Sequence, residues 1–249
     1  MKRVKLWLTV FYWYVSSLKC NKRATLLTAE QTAQKALKEG KSLIRLGDGE
    51  LNALEGIDVH YQTASTALQA EMKALIEEYL KKGEACGYLL CMPNEYLACN
   101  GLKLAKKRLW LASWARFRYY FKKHFDIPVI YGDAFLFAKE YEPIYRALWL
   151  EKDGIIFVHN SEQYAKVFNE KYGKEVHFIP VAAQNCYEEI ETIVAAIERQ
   201  IDAVENKQNA VVLISAGPCA KAIVYRLKDR GVQLIDTGHC WDDPLALRK

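Results

Sequence analysis

The 249-residue sequence predicts an α/β protein, a mostly parallel sheet with helices on both faces, and three observations predict it. Short apolar runs alternate with helical patterns nearly to the end of the chain, which is the signature of βαβ units. No internal repeat or low-complexity linker interrupts that alternation. Hydrophobic residues make up 51% of the chain, enough for a substantial core. We divide the sequence into an N-terminal apolar and basic segment, residues 1–24, and one domain over 25–249.

Taken in order, Leu6 to Leu18 is almost wholly apolar and aromatic, with Lys2, Arg3 and Lys5 before it and Lys19, Lys22 and Arg23 after it. It is too short to span a bilayer comfortably as a helix. Its bulky aromatics argue against a signal peptide. Trp7, Phe11, Tyr12, Trp13 and Tyr14 are residue types that settle at headgroup level, so the segment reads either as an interfacial anchor or as a terminal helix packed on protein. A helix follows over about Ala29 to Leu37, capped by Thr28 and stopped near Gly40, and leads into a strand, Ser42 to Leu46. The next helix, Thr66 to Lys82, carries Leu68, Met72, Leu75, Ile76 and Leu80 on one face and ends at Gly83. Further strands are expected at Gly87 to Cys91, Pro128 to Tyr131, Ile155 to His159, Val176 to Val181, Ala210 to Ser215 and Gln233 to Asp236. Helices are expected near Leu102 to His124, Ser161 to Tyr172, Tyr187 to Val204 and Ala220 to Asp229.

The formal charge of +5 is mild and its basic residues are scattered among acids, which does not make a nucleic-acid binder. Lys103 to Lys123, where basic residues interleave with Trp110, Trp114, Phe117, Tyr119 and Tyr120, suits an anionic surface or a helix with one buried face. The seven cysteines are widely spaced and form no C-x-x-C pair, so reduced thiols in a cytoplasmic protein are expected, none of them a nucleophile.

In an open parallel sheet, ligands bind beyond the carboxyl ends of the strands, and that rule sorts the polar residues. Asp48, Glu50, Asn94, Asp133, Asn160, Asn185, the Ser215-Ala216-Gly217 turn and Asp236 to His239 all follow a strand candidate. The first of these groups is the most informative. Ile44-Arg45-Leu46-Gly47-Asp48-Gly49-Glu50 puts two carboxylates on a glycine-flanked turn, where Gly47 and Gly49 free the backbone and Asp48 and Glu50 supply the hard oxygens that Mg²⁺ or Mn²⁺ prefers. The same residues also suit a solvated turn. A second group, Val211 to Lys221, reads as a buried strand, a tight turn at Gly217 and a helix opening with Pro218. Free N–H groups there would make an anion site, to which Lys221 adds charge. It is neither a Walker A loop nor a G-x-G-x-x-G fingerprint.

In sequence order, Arg45-Leu46-Gly47-Asp48-Gly49-Glu50, Tyr61-Gln62, Tyr131-Gly132-Asp133, Pro180 with Asn185 and Ile190, Gly217-Pro218-Cys219-Ala220-Lys221 and Asp236-Thr237-Gly238-His239 resemble the GT-D type glycosyltransferases. These are bacterial enzymes with an R-x-G-D-G-E motif, and the resemblance covers roughly Lys41 to Asp243. It implies a Rossmann-like fold, a nucleotide-sugar donor such as a UDP-sugar, and a divalent metal, Mn²⁺ or Mg²⁺. It further implies Asp48 and Glu50 as metal and diphosphate ligands. Arg45, Gly47, Gly49, Asn185, Gly217, Pro218 and Lys221 would surround the donor, and Asp236 and His239 would match the family's D-x-G-H ending. Three departures stand out. Phe137-Ala138 replaces a Ser-Arg pair, Cys219 replaces a usual threonine, and the family's Gly-Asn-Asp stretch near residues 160 to 170 is not evident, which leaves the acceptor unassigned.

Sugar transfer from a diphosphate needs the leaving group's developing charge stabilised, a task for carboxylate-held metal. An inverting enzyme also needs a base, for which Asp133, Asp236, His239, Asp242 and Asp243 are candidates. The expected activity is transfer to a cell-surface glycan, glycoprotein or lipid-linked acceptor, at the inner face of the membrane if residues 1–24 reach it. Two other readings are a metal-dependent phosphohydrolase and a non-catalytic scaffold that keeps the fold.

Overall fold

A computed structural model describes residues 2–105 and 108–241, leaving aside the side chains of 2, 3, 105 and 108–112. Its centre is an eight-stranded sheet, every pairing of which is parallel. The strands are β1 (Thr25–Leu26), β2 (Ser42–Arg45), β3 (Tyr88–Met92), β4 (Ile130–Asp133), β5 (Gly154–His159), β6 (His177–Pro180), β7 (Ala210–Ile214) and β8 (Gln233–Asp236). Their spatial order is β1-β4-β3-β2-β8-β7-β5-β6. The expected strands are all present within two or so residues, and only the two-residue β1 has no counterpart in the expectation.

Every residue of β3, β7 and β8 is buried. Successive side chains on a strand point to opposite faces, so both faces of the sheet are covered there, as continuous Val, Ile and Leu runs require. The helix α2 (Ala29–Glu39) buries Ala29, Thr32, Ala33 and Ala36, small residues that let it lie close to β4. Thr28 caps it, with Thr28 Oγ1 accepting from Gln31 N at 3.2 Å and Gln31 Oε1 accepting from Thr28 N at 2.9 Å. Helix α4 (Thr66–Lys82) buries Leu68, Met72, Leu75, Ile76 and Tyr79. It packs against the helix Pro218–Leu227, which in turn lies on β2 and β8. The expected helix over Leu102 to His124 is present as Leu102–Ala105 and Arg108–His124, on either side of two residues outside the described set.

Two elements differ from expectation. Asp48 to Glu50 is not a free turn but the first turn of a helix, α3 (Asp48–Leu54). Short helical turns between Lys139 and Leu150 fill the connection from β4 to β5. The N-terminal segment, in keeping with one of its two expected readings, is a helix, α1 (Lys2–Ser16), packed along Arg108–His124.

The strand order places the site. From the central neighbours β2 and β8, the chain runs outward through β3 and β4 on one side and lies as β7, β5 and β6 on the other. Such a reversal opens a crevice at the carboxyl ends of the strands. Arg45 ends β2, Asp236 ends β8 and Ile214 ends β7, with Ile214 in register with Asp236.

Candidate active site

Above that crevice lies a cavity of about 410 Å³. Its floor is a network of four buried or half-buried charges. Lys221 is 3% exposed, and its ammonium lies 2.8 Å from Glu50 Oε1 and 3.0 Å from Asp236 Oδ2, while donating to Gly217 O at 3.1 Å. Asp236 Oδ2 also accepts from the backbone N–H of Arg45 at 3.0 Å, and Arg45 Nη1 donates to Thr237 O at 2.8 Å. Burial opposes the charge on Lys221, but Asp236 and Glu50 more than reverse that and raise its pKa. Burial likewise opposes the charge on Glu50, and the Lys221 ammonium overcomes it and holds the carboxyl below the usual range. The pair is therefore ionised at neutral pH.

Left-handed glycine shapes the site at Gly217, where a tight turn is expected, and at Gly238, rather than at Gly47 and Gly49. Gly47 and Gly49 are both outside the left-handed region. Gly47 instead serves as N-cap of α3, its N–H donating to Glu50 Oε2 at 2.8 Å. Gly217 has φ +54°, and a Cβ there would meet Tyr61 Cε2 at 2.4 Å, so the Tyr61 ring covers the turn only because the side chain is missing. Gly238 has φ +54° and leaves room for the Arg45 guanidinium, which a Cβ would approach to 2.7 Å.

The predicted residues divide by position. Arg45, Gly47, Asp48, Gly49, Glu50, Gly217, Lys221 and His239 line the cavity. Asp236 is fully buried behind Lys221, so it positions the lysine and the β2 end rather than facing the cavity. Asn185 does not line it either: in the left-handed conformation, φ 53°, it accepts from Thr63 N at 2.8 Å and donates from its own N to Tyr61 O at 2.9 Å. That clamp fixes the loop carrying Tyr61. Pro218 opens its helix behind the lining, where the expected anion site is reduced, because Cys219 N and Ala220 N already donate to Ala216 O and Gly217 O at 3.1 and 3.2 Å.

Among the base candidates, His239 is exposed at the cavity and meets the Tyr61 ring edge-on at 6.1 Å. Asp133 lies below the lining, its Oδ1 accepting from Phe135 N at 2.9 Å, and burial lifts its pKa to about 6 against the backbone N–H groups that lower it. Asp242 and Asp243 lie outside the described residues. Phe137, where the family pattern has serine, is buried under the Arg45 guanidinium, 5.7 Å from ring centroid to Cζ.

A divalent ion of the Mg²⁺ kind binds through one or two carboxylates and leaves the rest of its shell to phosphates and water. Asp48 fits that demand: it is half-buried at the cavity, with Oδ1 accepting from Gly49 N at 3.0 Å. Glu50 has both oxygens engaged, one by a protein cation. Among the described residues no group of three or more His, Cys, Asp or Glu side chains is arranged to hold a metal ion.

Sequence reasoning did not single out the two walls of the cavity. Trp114 and Phe135 form one, with Trp114 stacked on Tyr96 at 4.4 Å, and His159 and Tyr164 the other, their rings 4.3 Å apart. Trp114 sits at helical spacing among core aromatics, so nothing in the sequence separates it from them. His159 carried a signal, a polar residue closing the apolar strand Ile155 to Val158.

A family model described as "Glycosyltransferase GT-D fold" matches residues 43–244, most of the chain. The chain belongs to the GT-D fold family. The GT-D match spans β2 to β8, the stretch that builds the cavity. Among its relatives, a probable glycosyl transferase, Gly, of Streptococcus gordonii is 22% identical over 88% of this chain and 32% of its own length. The glycosyltransferase GlyD of Streptococcus pneumoniae serotype 4 is 22% identical over 84% of this chain and 26% of its own. The GT-D chain thus spans about a third or less of these relatives. Among solved structures, that of the conserved domain of unknown function 1792, described as having a distinct glycosyltransferase fold, has TM-score 0.73 at 19% identity, covering 93% of this chain and 82% of its own. A glycosyltransferase of the same domain from Streptococcus sanguinis has TM-score 0.72 at 23% identity, over 91% and 87%. The Rossmann-like fold expected from the sequence is thereby supported independently.

Proposed function

We propose that this GT-D protein transfers a sugar from a nucleoside-diphosphate donor, a UDP-sugar by preference, to a hydroxyl acceptor in cell-surface glycan assembly. The observation that carries the reading is the buried ammonium of Lys221 between Glu50 and Asp236, directly under a cavity at the switch point of the sheet. A fixed cation there favours negative charge developing above it without rearranging, which is preorganised electrostatic stabilisation. Arg45, held by Thr237 O and stacked over Phe137, adds a second cation at the same floor.

In this reading Asp48 would hold Mn²⁺ or Mg²⁺, which would supply Lewis-acid stabilisation of the leaving group when bound. Glu50 keeps Lys221 in place and caps α3, so that Asp48 stays at the cavity surface. Tyr61, packed over Gly217, closes the floor on one side. His239 accepts the proton of the acceptor hydroxyl, since it alone of the described base candidates lines the cavity. The half-buried Phe135 ring, backed by Trp114, offers an apolar face for a sugar ring.

Calorimetric titration with UDP, with and without Mn²⁺, tests the donor half of this reading. Wild-type protein is expected to bind UDP more tightly with Mn²⁺, and Asp48→Asn is expected to remove the metal's contribution while keeping the melting temperature. Equal UDP binding by Asp48→Asn and wild type, metal present, would contradict it.

A further inference from the structure

Helix α1 has two apolar faces. Its inner one packs on the domain: Val10 is 6% and Ser17 1% exposed, Tyr12 Oη lies 3.4 Å from Tyr119 Oη, and the Arg116 guanidinium sits over the Trp13 ring. The C-terminal end is held firmly. Fully buried Arg118 donates through Nη2 to Ser17 O at 2.6 Å and Leu18 O at 3.0 Å, satisfying carbonyls that the helix end leaves open. Asp126 Oδ1 then accepts from the N–H groups of Lys22, Arg23 and Ala24 at 2.9, 2.7 and 3.2 Å.

The outer face is Val4, Trp7, Leu8, Phe11 and Val15, between 47% and 67% exposed. Their spacing of three and four residues makes one continuous stripe, which points away from the domain. With Leu6 and Tyr12, this helix carries seven of the ten large apolar side chains exposed among the described residues. Residues 1–29 also contain six basic residues and no acidic one, so the whole formal charge of +5 resides in this segment and the rest of the chain sums to −1. An apolar, Trp-containing stripe on a purely cationic segment is complementary to an anionic lipid surface. A second copy of the chain would bring the same cationic segment against itself, which disfavours that occupant. Among the described residues no helix is long and apolar enough to cross a membrane.

We propose that α1 seats this protein on an anionic membrane surface, with Trp7, Leu8 and Phe11 entering the headgroup region. The proposal goes beyond the donor chemistry and does not depend on it. Seating α1 there brings the cavity close to lipid, because the Arg108–His124 helix that carries α1 also supplies Trp114 to the cavity wall.

The test uses the full chain and sedimentation with phosphatidylcholine vesicles, with and without phosphatidylglycerol. The protein is expected to pellet with the anionic vesicles and to be released by salt, as screened headgroup attraction requires. The double substitution Trp7→Glu, Phe11→Glu is expected to lower the bound fraction by about tenfold or more, at an unchanged melting temperature because both side chains are exposed. Trp7→Phe keeps binding and removes most of the tryptophan quenching by brominated lipids. Wild-type protein that stays in the supernatant, a double variant that binds like wild type, or light scattering that shows the stripe holding a dimer which ignores vesicles would each overturn the proposal.

Discussion

Lys221 is the residue on which the charges of the site depend. Without its ammonium, Glu50 and Asp236 keep only backbone N–H donors, from Gly47 and Arg45, and Asp236 Oδ1 already lacks a hydrogen-bond partner. Removing one partner of a buried ionic group costs about 3–5 kcal/mol. Lys221→Met is therefore expected to lose stability of that order at pH 7 in denaturant unfolding. The deficit shrinks as the pH is lowered below neutral, because the Glu50 carboxyl, no longer held down by the lysine, takes up a proton in the folded state. A deficit independent of pH would assign the loss to packing. The importance of this residue was only partly legible: Lys221 was readable as a charge near a turn, but its partners lie far away in sequence, and no local pattern joins residue 50 to residue 236. The same holds for Asn185, whose polar side chain after a strand suggested a ligand contact but serves the backbone of Thr63.

At the scale of elements, α3 and α1 illustrate opposite outcomes of sequence reading. Gly-Asp-Gly-Glu has poor helix formers at its start, and propensity alone predicts a turn. Tertiary context overrides it, since the Glu50 carboxylate supplies the cap that Gly47 lacks and gains Lys221 at the same time. Helix α1 was legible as an apolar and basic segment, but its division into a packed and an outward face depends on the Arg108–His124 helix beneath it. Arg118 ties the two. Arg118→Leu is expected to cost about 3 kcal/mol or more, as a buried donor serving several carbonyls is lost. It should also free α1, seen as hydrogen exchange that rises first in residues 2–18. Exchange that rises uniformly through the sheet would mean that α1 and the domain unfold as one unit.

For the molecule as a whole, the sheet's uninterrupted apolar runs made the α/β class and nearly all its strands readable, because strands buried on both faces leave no polar alternation to mislead. Strand order was not readable, and it is the order that turns dispersed strand-end residues into one cavity. The fold also carries a pH signature. Asp133, lifted by burial to about 6, binds its proton more tightly folded than unfolded, where an aspartate titrates near 3.9. The native state then holds more protons across that window, so this group's contribution to stability falls as pH rises from about 4 to about 6 and is level above it. Glu50 has the opposite sign: its depressed pKa stabilises the protein above the unfolded carboxylate range and is lost as pH falls through the folded value. Asp133→Asn should remove the first slope from a melting-temperature profile and leave the acid limb. A profile unchanged by that substitution would contradict the assignment.

The proposed function rests on a nucleotide-sugar site closed by metal on Asp48 over the Lys221 floor. Thermal-shift measurement with UDP-, GDP-, dTDP- and CMP-sugars, each with and without Mn²⁺, tests it most directly, because a ligand selective for the native state raises the melting temperature by mass action. A rise with UDP-sugars that requires the metal is expected. No rise with any of the four classes, or one that ignores the metal, would contradict it.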